Sequence, residues 1–185
     1  MLLRNRAPSI DAVPVTAAEG YEHLAASSIA VIGWLTAAGV DFVLVGAVAR
    51  SIRGDATARG PVDIVPAPYG RNLDRLAHAL SSARAQERAR AGLVGVTPAS
   101  AGQPLKLTAE LLVRAKRWEL ICGDHELDVE GRPDGASSYQ ELLYEAVRFT
   151  ISAEASVEVA APEDIEYYDH VRRTGVAPEI IVSRL

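Results

Sequence analysis

The pattern of apolar and polar positions resolves most sharply between Asp41 and Pro66, DFVLVGAVARSIRGDATARGPVDIVP. Phe42 to Val45 is an unbroken apolar run of strand length. Gly46 supplies a turn, the residues through Ile52 suit a short helix, and Val62 to Val65 form a second apolar strand. Asp63 lies inside that second run, where a strand buried on both faces carries Val or Ile. A carboxylate in such a place demands a reason.

The same reading extends outward in both directions. Residues 1–15 hold Pro8 and Pro14 and no periodicity, and read as an extended or poorly ordered arm before a single domain spanning 16–185. Thr16 and Glu19 have the spacing of a capping box, and Leu24, Ser28, Ile32 and Leu35 recur at helical intervals up to Ala38, with Gly39 as the stop. A second helix is predicted from about Arg71 to Ala83, with Leu73, Leu76, Ala77 and Leu80 on one face. The following RAQERARAG carries Arg84, Arg88 and Arg90, which suit phosphate in principle but read as a solvated helix end. Leu93 to Pro104 is loop by composition, and Thr108 caps a short helical turn through Leu111 and Leu112. RWELICGDHELDVEG predicts a hairpin: Trp118 to Cys122, a turn at Gly123-Asp124, and a return from Glu126 to Glu130 that contains Asp128. After a turn at Pro133-Asp134-Gly135 come an amphipathic helix from Tyr139 to Val147, two short strands within Arg148 to Val159, and a last helix opened by Pro162.

Strands and helices in this order predict an α/β or α+β fold, a mixed sheet backed by helices with a helical C-terminal end. Composition narrows the class. The 185 residues are 49% hydrophobic and only 5% aromatic, so the core is built from Ala, Val, Ile and Leu. A net charge of −5 opposes broad nonspecific binding of nucleic acid. The single cysteine, Cys122, forms no internal disulfide and is expected to be a small buried hydrophobe in a reducing cytoplasm. The expectation is a cytoplasmic chain with no signal peptide and no membrane anchor: Met1 to Leu3 is too short an apolar run, and Ala25 to Val40 is broken by Ser27, Ser28 and Thr36.

Two acids inside predicted strands, Asp63 and Asp128, are the strongest candidates for chemistry. Carboxylates on adjacent strands hold Mg²⁺, a hard ion that takes one or two protein oxygens and completes its octahedron with water and phosphate. A glycine turn between strand and helix lets a triphosphate approach free backbone amides. Plain alternatives stand beside these readings: Gly46 as a structural turn, Asp63 paired with Arg59, Asp128 facing solvent in an alternating hairpin.

The order of strand, Gly46-Ala47, short helix, loop with Thr57 and Arg59, strand with Asp63 and later hairpin strand with Asp128 resembles the polymerase-beta-like nucleotidyltransferase superfamily. The similarity is greatest to its small bacterial branch found in toxin and antitoxin systems. VEGRPDGASSYQELLYEA and VEVAAPEDI carry the likeness on, so that it covers most of residues 38–166. It implies an NTP held with Mg²⁺ by Asp63 and Asp128, a triphosphate held by Gly46, Ala47, Arg50 and Ser51, and nucleotide transfer to an acceptor.

The departures fall on the chemistry. The metal motif of that superfamily is an acid, one residue, then a second acid; with Asp63 in the second place, Pro61 holds the first, and with Asp63 in the first, Val65 holds the second. Asp55 is the candidate stand-in for the lost ligand. The lysine common in the last helix is absent from PEDIEYYDHVRRTG, and Asp169 falls near its place. Two functions follow: an Mg²⁺-dependent nucleotidyltransferase, or a catalytically silent relative that binds a nucleotide, a nucleic acid or a partner protein. His125, beside Asp124 and Glu126, reads as a turn residue, and Tyr167, Tyr168 and His170 as helix packing.

Overall fold

The computed structural model describes residues 9–12, 15–88, 104–114, 117–131 and 136–174. Most of the predicted loop at Leu93 to Pro104, Arg90 and the turn at Pro133 to Gly135 lie outside them.

The chain folds as a mixed α/β structure around one seven-stranded sheet, ordered β3-β4-β5-β2-β1-β7-β6. The strands are β1 (Phe42–Val45), β2 (Val62–Pro66), β3 (Gln86–Glu87), β4 (Arg117–Cys122), β5 (His125–Glu130), β6 (Val147–Thr150) and β7 (Ser156–Val159). The helices are α1 (Ala26–Ala37), α2 (Gly46–Ile52), α3 (Gly70–Ser82), α4 (Ala109–Arg114), α5 (Tyr139–Glu145) and α6 (Pro162–Thr174). No helix among the described residues is long and apolar enough to cross a membrane.

The central strands β1, β2 and β5 are buried almost throughout; β1 and β2 accordingly run mostly apolar, whereas β5 alternates Leu127 and Val129 with Glu126, Asp128 and Glu130. β1 runs antiparallel to β2 and parallel to β7, and β2 runs parallel to β5. Because neighbours in register share a sheet face, the pairs Val45 with Asp63 and Asp63 with Asp128 put both acids on one face. Ile64, Leu120, Leu127 and Val129 point the opposite way into a wholly apolar layer. α1 packs against β2, β5 and β7, and its residues from Ser28 to Leu35 are all buried, as expected for a helix that is apolar around its whole circumference. α3 is amphipathic and buries Leu73, Leu76, Ala77 and Leu80.

Asn72 on α3 is fully buried and ties that helix to the sheet: its Oδ1 accepts from Asp41 N at 2.8 Å, and its Nδ2 donates to Asp41 O at 2.8 Å and Ala67 O at 3.0 Å. Ser138 and Glu141 form the capping box that opens α5. The predicted box at Thr16 and Glu19 caps nothing. The first helix starts at Ala26, nine residues later than a cap at Thr16 implies, because Gly20 takes a left-handed φ of +89° and its amide donates to the Glu22 carboxylate. Ala17 instead bridges to Ser152 beside the sheet. Within the predicted arm, Ile10 sits in a single 3₁₀ turn and is buried in the core.

Candidate functional site: a buried acid and arginine cluster

The site grows from the charged face of β4, β5 and β2. Alternation along β5 puts Glu130 on the same face as Asp128, and antiparallel pairing sets Arg117 opposite Glu130 and Glu119 opposite Asp128. The result is an acidic triad of Asp63, Asp128 and Glu130, each with an oxygen within 4.8 Å of the others and each almost wholly buried.

Three arginines from three different segments converge on it. Arg117, at the start of β4, is ion-paired with Asp128, lies 3.2 Å from Glu130 and lies 3.6 Å from Asp63. Arg172, in the last turn of α6, donates to Asp63 Oδ1 at 2.8 Å and to Glu130 Oε1 at 3.3 Å. Arg88, just beyond β3, donates to Asp128 Oδ1 at 3.0 Å and Oδ2 at 3.2 Å, and pairs with Glu126 at 3.1 Å. Burial still dominates the acids' protonation. It raises the Asp63 carboxyl to about 6 and that of Glu130 to about 7, against the opposing pull of Arg172 and Arg117. Burial thus biases Glu130 toward its neutral form, and its Oε2 is buried without a hydrogen-bond partner.

Gly46 opens α2 with a left-handed φ of +71° and packs directly on Asp63. A Cβ there would stand 2.7 Å from Asp63 Cγ and 3.0 Å from its Cβ, and nearer still to Oδ2. The space that glycine leaves is filled by the protein's own carboxylate. Of the other residues expected at a triphosphate, Arg50 is ion-paired with Asp169 of α6, in a cleft of about 710 Å³ also lined by Glu163, Tyr167 and His170. Ser51 is buried, and its carbonyl meets His23 Nε2 at 3.0 Å. Ala47 lies under Gly60.

No known family, curated protein or solved structure matches the chain.

The site must therefore be read from its own chemistry. Asp63 and Asp128 stand on adjacent strands with their side chains on one face, as the sequence leads one to expect. The plain alternatives for these acids fail: Asp128 is fully buried rather than solvent-facing, and the Arg59 guanidinium donates to Ala56 O and Ala58 O rather than to Asp63. Glu130, and not Asp55, is the third acid of the group; Asp55 is exposed and held by Thr57. Arg88 is no solvated helix end, since it reaches the Asp128 carboxylate. Glu130 was discoverable, because Asp128-Val129-Glu130 has the acid-x-acid spacing sought around Asp63; Arg117 and Arg172 carry no local signal. Cys122 is buried with its thiol pushed up to about 12, the inert hydrophobe expected. Tyr168 is buried and donates to Gly131 O at 2.8 Å.

Three clustered carboxylates are the donor set of a hard divalent ion. Here a guanidinium already stands against every one of them, and burial keeps Glu130 partly neutral. An added ion would have to displace these guanidiniums from the carboxylate oxygens they already hold, and the acids beyond the triad, Glu119 and Glu126, stand beside Arg117 and Arg88 rather than within the triad. These residues do not fit a resident Mg²⁺.

Proposed function

We propose that this chain is a catalytically silent protein of nucleotidyltransferase-like architecture that works by binding a partner protein. One observation carries the reading: the acids that would bind metal are neutralised by Arg88, Arg117 and Arg172. Loss of the acid-x-acid motif around Asp63 supports it, with Pro61 before β2 and Val65 after Asp63. A protein is favoured over nucleic acid because the net charge is −5 and several arginines on the framework are spent internally. Arg50 and Arg148 are held by carboxylates, Arg53 by the Val159 and Ala160 carbonyls, and Arg59 by its own loop.

The test is incorporation of labelled NTP into bulk RNA and cell-extract protein with Mg²⁺, together with a search for NTP-dependent rises in melting temperature. The unaltered chain and a Pro61→Asp variant are both expected to transfer nothing, because a restored acid does not remove the arginines. Mg²⁺-dependent transfer by the unaltered chain, lost in Asp63→Ala, would refute the proposal.

A further inference from the structure

We propose that Arg172 is a built-in cation that fills a divalent-ion site made by Asp63, Asp128 and Glu130, so that α6 is a fixed autoinhibitory plug. The inference rests on the silent reading above and names what silences it. Its first support is position: one guanidinium nitrogen of Arg172 bridges Asp63 Oδ1 at 2.8 Å and Glu130 Oε1 at 3.3 Å, two of the three acids whose oxygens lie within 4.8 Å of one another, while Arg117 of β4 is ion-paired with the third, Asp128. The second is the buried Glu130 Oε2, an acceptor left without a hydrogen-bond partner by the arginines that surround it.

A guanidinium presents donors in one plane and engages two acids here, whereas a divalent ion collects oxygens from all sides. The plug is fixed rather than mobile because α6 is anchored along its length. Ile165, Tyr168 and Val171 are buried, Tyr168 donates to Gly131 O, and Asp169 is paired with Arg50. The site therefore opens by substitution, not by motion. Glu130 supplies the third carboxylate that the stretch around Pro61 lacks.

Mn²⁺ is the probe, followed by the loss of its free-ion paramagnetic signal and by the melting temperature of the full chain. The unaltered protein is expected to show no saturable binding. Arg172→Gln keeps polar contact with both acids but removes the charge, and is expected to bind Mn²⁺ at least about tenfold more tightly than the unaltered chain. Adding Glu130→Gln should abolish that gain. Should Arg172→Gln unfold without the ion, recovery of its circular dichroism with Mn²⁺ supports the plug, and failure to recover overturns it. A folded Arg172→Gln blind to Mn²⁺, or equal binding by the unaltered chain, also overturns it. A folded Arg172→Gln blind to Mn²⁺ leaves the silent reading standing, whereas saturable Mn²⁺ binding by the unaltered chain removes its main support, and nucleotide transfer by the unaltered chain refutes it.

Discussion

Replacing Gly46 by Ala tests whether the turn exists to admit the Asp63 carboxylate. Two costs add. An alanine at φ +71° carries the left-handed penalty of about 1–2 kcal/mol, and its Cβ collides with Asp63 at 2.7 Å from Cγ. Asp63 has little room to yield, being 1% exposed, hydrogen-bonded to Arg172 and carried on a strand held between β1 and β5. Overpacking of this kind costs about 1–3 kcal/mol, and the lower entropy of the unfolded alanine chain offsets about 0.4–1 kcal/mol. The net loss is about 1–4.5 kcal/mol, equivalent to a melting temperature lower by roughly 10 °C at mid-range for a chain of this size. The assay is urea unfolding of four proteins: unaltered, Gly46→Ala, Asp63→Ala and the double variant. Removing the carboxylate relieves the closest contacts, so the two changes should couple favourably by about 1–2 kcal/mol. A loss below about 0.5 kcal/mol for Gly46→Ala, or strict additivity in the cycle, would refute the reasoning.

Two further predictions use the same measurement. Asp63 and Glu130 hold protons more tightly when folded than when unfolded, so the folded chain binds more protons between about pH 4 and pH 7 and stability falls as pH rises through that window. Asp63→Asn combined with Glu130→Gln should flatten that slope, and an unchanged slope would place its origin elsewhere. Asn72→Ala removes three hydrogen bonds to the buried junction of α3 with the strands and should cost about 3 kcal/mol; a loss under about 1 kcal/mol would show that water replaces the side chain.

What the sequence made legible was local. β1, α2 and β2 occur almost residue for residue where the apolar runs and Gly46 put them, and the hairpin of β4 and β5 follows its turn chemistry. The start of α1 departs from the sequence pattern because the spacing of Thr16 and Glu19 satisfies the capping rule, while the left-handed Gly20 between them and the helix does not propagate it. Asp63 was visible as a charge inside an apolar strand, and Asp128 as an acid between Leu127 and Val129. Their partners were not, because Arg88 and Asp128 are 40 residues apart and Arg172 and Asp63 are 109 apart, with no periodicity linking them. Arg88 and Arg172 each lie in polar stretches that suit a solvated helix end equally well.

The cluster also limits what an acid in a buried strand can be taken to mean. Once a carboxylate and a guanidinium are buried together, removing either leaves the other unpaired at about 3–5 kcal/mol, whereas the intact pair contributes little net stability. Asp63 is shared by Arg117 and Arg172, and Asp128 by Arg88 and Arg117, so replacing either acid withdraws a partner from two arginines at once, while each acid keeps a second arginine when one is lost. Linked pairs of this kind hold their residue types in place whether or not the site ever binds an ion. The carboxylates of β2 and β5 are therefore accounted for by the arginines alone, and a catalytic role needs evidence beyond their presence and their shared face.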